Sequence, residues 1–219
     1  MESVIKFQSP STGLIVGPSG SGKSTFVYEA LKNAGGVFAC PPKAVYYCHG
    51  VYQPLYDVIQ SEVPNINFIE ELPTKHMLET WNMEESGHKL LILDDVMQEG
   101  AKSKDVVDIF CKYSHHLNFT CWFLCQNLFN ASKEYRCISL NAHYLILFRQ
   151  KRDQNQISIL ARQIFGSDKF FLDAYKKATS TQYGYIVLDL SPHSVEDYKV
   201  RTNIFPHQSM IVYQPEKTK

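Results

Sequence analysis

The chain reads as an α/β domain in which a mainly parallel central sheet carries helices on both faces. Three observations predict this. Continuous apolar runs such as Leu90-Leu91-Ile92-Leu93 and Phe119-Thr120-Cys121-Trp122-Phe123-Leu124-Cys125 have the make-up of strands buried on both sides, not the alternation of a strand with one wet side. Such runs alternate with helical stretches along most of the chain. A glycine-rich turn lies between the apolar run Leu14-Ile15-Val16 and a helix start.

The elements follow in order. An apolar strand at 13–16 leads into the glycine-rich turn, and a helix spans 23–33. Pro41-Pro42 breaks the chain before a strand at 44–48, a helix at 52–61 and a short strand at 67–69. After Pro73 come a helix at 74–82 and the strand at 89–93. A helix at 104–114 precedes the strand at 119–125, and another strand is expected at 143–148. Two helices, 154–165 and 168–178, lead to a last strand at 185–190, closed by Pro192. At 219 residues this is one domain, with residues 1–12 as an N-terminal segment and the polar stretch 206–219 as a flexible tail.

Composition narrows the function. Lys plus Arg and Asp plus Glu both number 22, so bulk charge gives no pull toward nucleic acid and any such contact needs a local patch. The start Met1-Glu2-Ser3 has no basic or long apolar leader, and the apolar runs are too short to span a bilayer, so a soluble intracellular protein with no membrane partner is expected. Six cysteines without a CxxC pair read as buried free thiols.

The turn Gly17-Pro18-Ser19-Gly20-Ser21-Gly22-Lys23-Ser24-Thr25 is a complete phosphate-binding loop. Its glycines let backbone N–H groups curl around a β-phosphate, Lys23 reaches the β- and γ-oxygens, and Ser24 offers a hydroxyl to Mg²⁺. The helix behind it aims its N-terminal dipole at the same anion. ATP and Mg²⁺ are the expected ligands.

Asp94-Asp95 ends the apolar strand that starts at Leu90, a form that delivers carboxylates to the same sheet edge. Asp94 is placed to hold Mg²⁺, and Asp95 to orient or deprotonate water. Gln126-Asn127 ends the next buried strand, where Gln126 either contacts the γ-phosphate and the lytic water or caps the strand through backbone bonds. Charge on the departing phosphate also calls for arginine, and Arg136, Arg149, Arg152, Arg162 and Arg201 are candidates. Arg152 stands out in the cluster Phe148-Arg149-Gln150-Lys151-Arg152-Asp153, with Arg136 the other choice.

With these pieces in order the chain resembles the genome-packaging ATPases of double-jelly-roll DNA viruses and Maverick/Polinton elements, within the FtsK–HerA superfamily. The resemblance rests on residues 17–25, 90–97 and 116–129, on Ile138-Ser139-Leu140-Asn141-Ala142-His143-Tyr144, on Phe148 with Arg152-Asp153, and on Tyr183-Gly184-Tyr185-Ile186-Val187-Leu188-Asp189 followed by Arg201-Thr202-Asn203-Ile204-Phe205. The last stretch resembles the adintovirus and Polinton branch in particular. The resemblance implies a RecA-like P-loop ATPase that assembles as a homopentameric or homohexameric ring and pulls double-stranded DNA into a viral capsid. A place in the host nucleus or a cytoplasmic virus factory, or on the virion, goes with that. It also assigns nucleotide contacts to Lys23 and Ser24, metal to Asp94 and a polar sensor to Gln126. Cellular members usually carry glutamate where this chain has Asp95, whereas poxvirus-type enzymes look similar in using Asp-Asp. The base is therefore Asp95 or Glu99, and the arginine acting across the ring is Arg152 or Arg136.

Two other readings use the same loop. A nucleotide or polynucleotide kinase would need a mobile arginine-rich lid, and a nucleotide-gated assembly protein would not need Asp94 or Gln126. After the acidic strand, Lys102 and Lys104 lie in a short loop that either meets DNA in a pore or is an ordinary solvated loop.

Overall fold

The computed structural model describes residues 5–96, 100, 102–129, 132–152 and 154–216. Nine strands form one sheet in the order β3-β2-β4-β5-β1-β6-β7-β8-β9. They are β1 Thr12–Val16, β2 Ala44–His49, β3 Ile66–Ile69, β4 Lys89–Asp94, β5 Phe119–Cys125, β6 Tyr144–Phe148, β7 Tyr185–Asp189, β8 Val200–Thr202 and β9 Ile211–Tyr213. The first six run parallel, and β7, β8 and β9 extend the sheet antiparallel. The limits of β1 to β7 agree with the expected ones to within one residue, and β5 matches at both ends, whereas β8 and β9 were not expected.

Side chains on successive strand residues point to opposite faces, and each face has its own core. On one, Leu14, Leu91, Phe123, Leu145 and Ile186 pack with Val106, Ile138, Leu160 and Phe171. These come from α5 (Lys104–Asp108), α6 (Lys133–Leu140), α7 (Gln154–Phe165) and α8 (Lys169–Ala178). On the other, Ile15, Val45, Ile92, Trp122 and Ile146 meet Phe26 and Val27 of α1 (Lys23–Lys32) and Ile59 of α3 (Leu55–Glu62). Two further helices, α2 (Ala34–Val37) and α4 (Lys75–Glu84), complete the layers. Helices on both faces explain why the parallel strands are mostly apolar on both sides.

The sequence reading is corrected here in several places. The helix expected at 104–114 has an irregular core: α5 passes into a π turn, Ile109–Tyr113, and ends in an α turn, Ser114–His116. Helix α6 was missed. The stretch 206–219, expected to be flexible, carries β9, because Ile211-Val212-Tyr213 finds a partner strand in β8. The N-terminal segment packs onto the sheet. Phe7 is buried and packs its ring on Trp122 and Tyr144, while its backbone bonds Val37 and Ala39. Of the cysteines, Cys48, Cys121 and Cys125 are buried as expected; Cys40 is exposed, and Cys111 and Cys137 are half-buried with their sulfurs 3.3 Å apart. Among the described residues no helix is long and apolar enough to cross a membrane.

The candidate nucleotide site

Strand β1 sits between β5 and β6, with Val16 opposite Cys125 on one side and Leu147 on the other. One strand further, β4 pairs with β5 in parallel, so β1, β4, β5 and β6 bring their C-terminal ends to one edge. Four segments converge there: the loop after β1, the acids ending β4, Gln126 after β5 and the basic cluster after β6. Their sequence separation is large, and only the strand order makes them neighbours.

The loop is held by its own backbone. Gly17 N–H donates to the Cys125 carbonyl at 3.1 Å, and Ser21 N–H donates to the Pro18 carbonyl at 3.2 Å. Gly20 and Gly22 take positive φ, 73° and 102°, a region that costs glycine nothing. A Cβ on Gly17 would lie 2.7 Å from the Cβ of Phe148, so the loop start has no room for a side chain. Helices α4, α5 and α6 begin under side-chain caps from Thr74, Ser103 and Ser132. Helix α1 follows Gly22 as its N-cap, with no side-chain cap and no acid in its first turn. Its leading N–H groups and dipole are thereby left to an external anion. Ser21 Oγ is buried there without a hydrogen-bond partner among the described residues.

Lys23 is folded back onto the loop, donating from Nζ to the carbonyls of Gly17 at 2.8 Å and Pro18 at 3.1 Å. Burial lowers its pKa from the ordinary value, and the Asp94 charge pulls the other way. A phosphate offers this ammonium an anionic partner in place of two neutral carbonyls.

Asp94 is buried and its Oδ2 accepts three hydrogen bonds. Ser24 Oγ donates at 2.9 Å, Tyr47 at 2.7 Å and Tyr56 at 3.1 Å. Burial first, then the negative Asp94, pushes both phenols above their ordinary pKa, so they stay protonated donors. The carboxylate is therefore fixed in orientation by β2, α3 and α1 together. A neutral hydroxyl oxygen and an anionic carboxylate side by side fit a hard divalent cation such as Mg²⁺, which takes oxygen ligands and keeps several waters. Ser24 and Asp94 are the residues that would hold it. Asp95 differs: it is exposed, at φ 55°, a left-handed conformation that aspartate tolerates. Gly50 N–H donates to the Asp94 carbonyl at 3.1 Å and braces this strand end.

Two cavities meet at the loop. One, of about 440 Å³, is lined by Lys23, Ser24, Thr25, Asp94, Asp95 and Gln126. The other, about 920 Å³, lies toward β6 and β7 and is lined by Ser19, Gly20, Gln126, Arg149, Arg152 and Tyr183.

The poxvirus A32 protein family model matches residues 7–191. The chain belongs to that family. The DNA-packaging ATPase B204 of Sulfolobus turreted icosahedral virus is similar in structure, with a TM-score of 0.56 at 14% identity over 94% of this chain and 98% of B204. B204 of Sulfolobus turreted icosahedral virus 2, in complex with ATP-gammaS, gives a TM-score of 0.55 at 13% identity over 94% of this chain and 98% of its own. At such identity the likeness establishes the fold, that of a P-loop NTPase. No curated protein matches the chain.

The remaining candidates divide in this A32-family chain. Gln126 is exposed and lines both cavities. Its backbone carbonyl accepts from Gln150 Nε2 at 2.7 Å, so the bond that holds this strand end comes from Gln150. Arg152 and Arg149 are exposed and face their own chain's loop across the larger cavity. Arg136 stands exposed on α6, outside the described lining of both. Arg162 lies on α7 and donates from Nε to the Ser158 carbonyl, likewise outside that lining. Arg201 is not a phosphate partner, because it is buried in an ion pair with Asp189. Lys102 is exposed in a turn; Lys104 is exposed too, but as the first residue of α5, capped by Ser103, instead of in a loop. Glu99 lies outside the described residues.

Sequence reasoning missed Tyr47 and Tyr56. Tyr47 sits in a mostly apolar strand and Tyr56 on a helix face, and nothing in their spacing marks them as donors to Asp94.

Proposed function

We propose that this chain hydrolyses ATP in a Mg²⁺-dependent reaction and uses it to drive double-stranded DNA into a viral capsid, with residues 1–219 forming one ATPase domain that works in a homopentameric or homohexameric ring. The observation that carries the reading is the Ser24–Asp94 contact beside Lys23 at an uncapped helix start, an arrangement suited to a triphosphate. Membership of the A32 family and the likeness to a viral DNA-packaging ATPase support the motor part.

In this reading the loop and the α1 N-terminus cradle the β-phosphate, and Lys23 leaves its two carbonyls for the β- and γ-oxygens. A bound Mg²⁺ would neutralise phosphate charge. Asp95, exposed at the strand end, takes the proton of the attacking water, and Gln126 orients that water against the γ-phosphate. Arg152, assigned over Arg136 because it faces the loop's cavity, offsets charge on the leaving group or, from a neighbouring subunit, on the γ-phosphate.

The tyrosines set the carboxylate. Tyr47→Phe and Tyr56→Phe each remove one donor to Asp94 and keep the ring, so kcat is expected to fall about tenfold, the scale of one hydrogen bond to a charged group. The Mg²⁺ requirement should rise with it. Phosphate release measured across a Mg²⁺ titration checks this, and an unchanged Mg²⁺ dependence would leave the phenols a packing role alone.

The motor reading is tested by adding duplex DNA. Turnover should rise without sequence preference, and the rise should shrink as salt increases, because binding releases condensed counterions. Lys102→Ala with Lys104→Ala should leave basal hydrolysis intact and make the salt slope shallower by about two, one for each DNA phosphate that no longer meets an ammonium. Turnover indifferent to duplex DNA at low salt would remove the motor and favour the nucleotide-gated assembly protein.

A further inference from the structure

We propose that Tyr183 is the platform on which the nucleotide's base stacks, so that the site grips an aromatic base as well as a phosphate chain. The inference rests on the phosphate-loop reading above.

Three observations lead to it. Tyr183 precedes β7, yet it reaches the phosphate loop: a Cβ on Gly22 would meet its Cδ1 at 2.9 Å, its Cβ at 3.3 Å and its Cγ at 3.4 Å. One edge of the side chain thus rests on the N-cap residue of α1, and glycine is required at 22 for this contact as well as for its φ of 102°. Second, Tyr183 itself has φ 60°, which is rare for a bulky aromatic residue and costs free energy. The strained turn is held by Gly184 N–H donating to the Thr181 carbonyl. Third, this costly conformation brings little burial, because the residue remains 57% exposed. A strained aromatic residue that rests against the loop and stays more than half exposed is placed for something that arrives from outside.

The surroundings say what arrives. Tyr183 borders both cavities, sharing the smaller one with Thr25 and the larger one with the loop tip. Asp94 and Asp95 mark the end where the terminal phosphate belongs, so the sugar and base leave the α1 N-terminus away from those acids. The lining of the larger cavity contains no carboxylate among the described residues, and about 920 Å³ exceeds what a nucleoside fills. A flat, largely exposed ring at the cavity edge suits a flat heteroaromatic base. Stacking reads the face of a base and not its edge, so adenine and guanine nucleotides should bind within a few-fold of each other.

The test separates base from phosphate by titrating the full chain calorimetrically with ADP and with inorganic tripolyphosphate. Tyr183→Ala should weaken ADP about tenfold, the scale of one base–aromatic stack, and leave tripolyphosphate unchanged. Tyr183→Phe should bind both as the parent chain does. Tyr52→Ala serves as control: Tyr52 is also exposed and packs edge-on to Tyr56, but it lies outside the described lining of both cavities. Unchanged ADP affinity in Tyr183→Ala overturns the proposal, and so does an equal loss for both ligands, which would make Tyr183 a prop for the loop. A parent chain that binds neither ligand overturns the phosphate-loop reading itself and the platform with it.

Discussion

Replacing Lys23 by alanine is expected to remove ATP hydrolysis, with a loss of at least about a hundredfold, the scale of deleting one preorganised charge from a transition-state site. Lys23 is the one cation in the lining of the smaller cavity among the described residues. Among the described residues its side chain bonds only two loop carbonyls, Gly17 and Pro18. The fold should therefore survive. Phosphate release and a thermal melt on the same preparation check both halves. Turnover within a few-fold of the parent chain, with an unchanged melt, would show that triphosphate charge is met elsewhere.

The second large effect is on stability. Arg201→Ala is expected to cost about 3–5 kcal/mol, the range for stripping one partner from a buried ion pair. Arg201 and Asp189 have side chains 1% and 4% exposed. Both terminal nitrogens of Arg201 donate to Asp189 Oδ2 at 3.2 Å, and Nη1 also donates to the Tyr198 carbonyl at 2.7 Å. Without the guanidinium, Asp189 keeps only the Ser191 N–H and hydroxyl, both on Oδ1, and Oδ2 is left charged and buried. That cost is a large share of the roughly 5–15 kcal/mol that holds a typical domain folded. Replacing the pair together, Arg201→Met with Asp189→Leu, should recover most of the stability, because no charge is then stranded. Urea unfolding of the three chains gives the comparison. A single Arg201→Ala within about 1 kcal/mol of the parent would mean that water reaches Asp189 and the pair is not sealed.

What the sequence determined by itself was everything whose cause lies within one short window. A strand covered on both faces is apolar at nearly every position, so 90–93 and 119–125 announce a parallel sheet without any knowledge of their neighbours. The phosphate loop is legible for the same reason: its glycines, its lysine and its helix start are contiguous, and they act through their own backbone. The tertiary structure alone decided what depends on strand order. Strands β8 and β9 are three residues each, too short to show a period, and exist because each finds an edge to pair with. Arg201 looked like any other candidate for a phosphate until Asp189 proved to lie across the β7–β8 edge. Tyr47 and Tyr56 become donors to Asp94 because β2 is placed beside β4, and Tyr183 meets Gly22 because the chain returns to the loop after α8. Local sequence encodes backbone conformation and which face is buried; which distant side chains meet across that burial is set by the order of the sheet, and no window of sequence contains it.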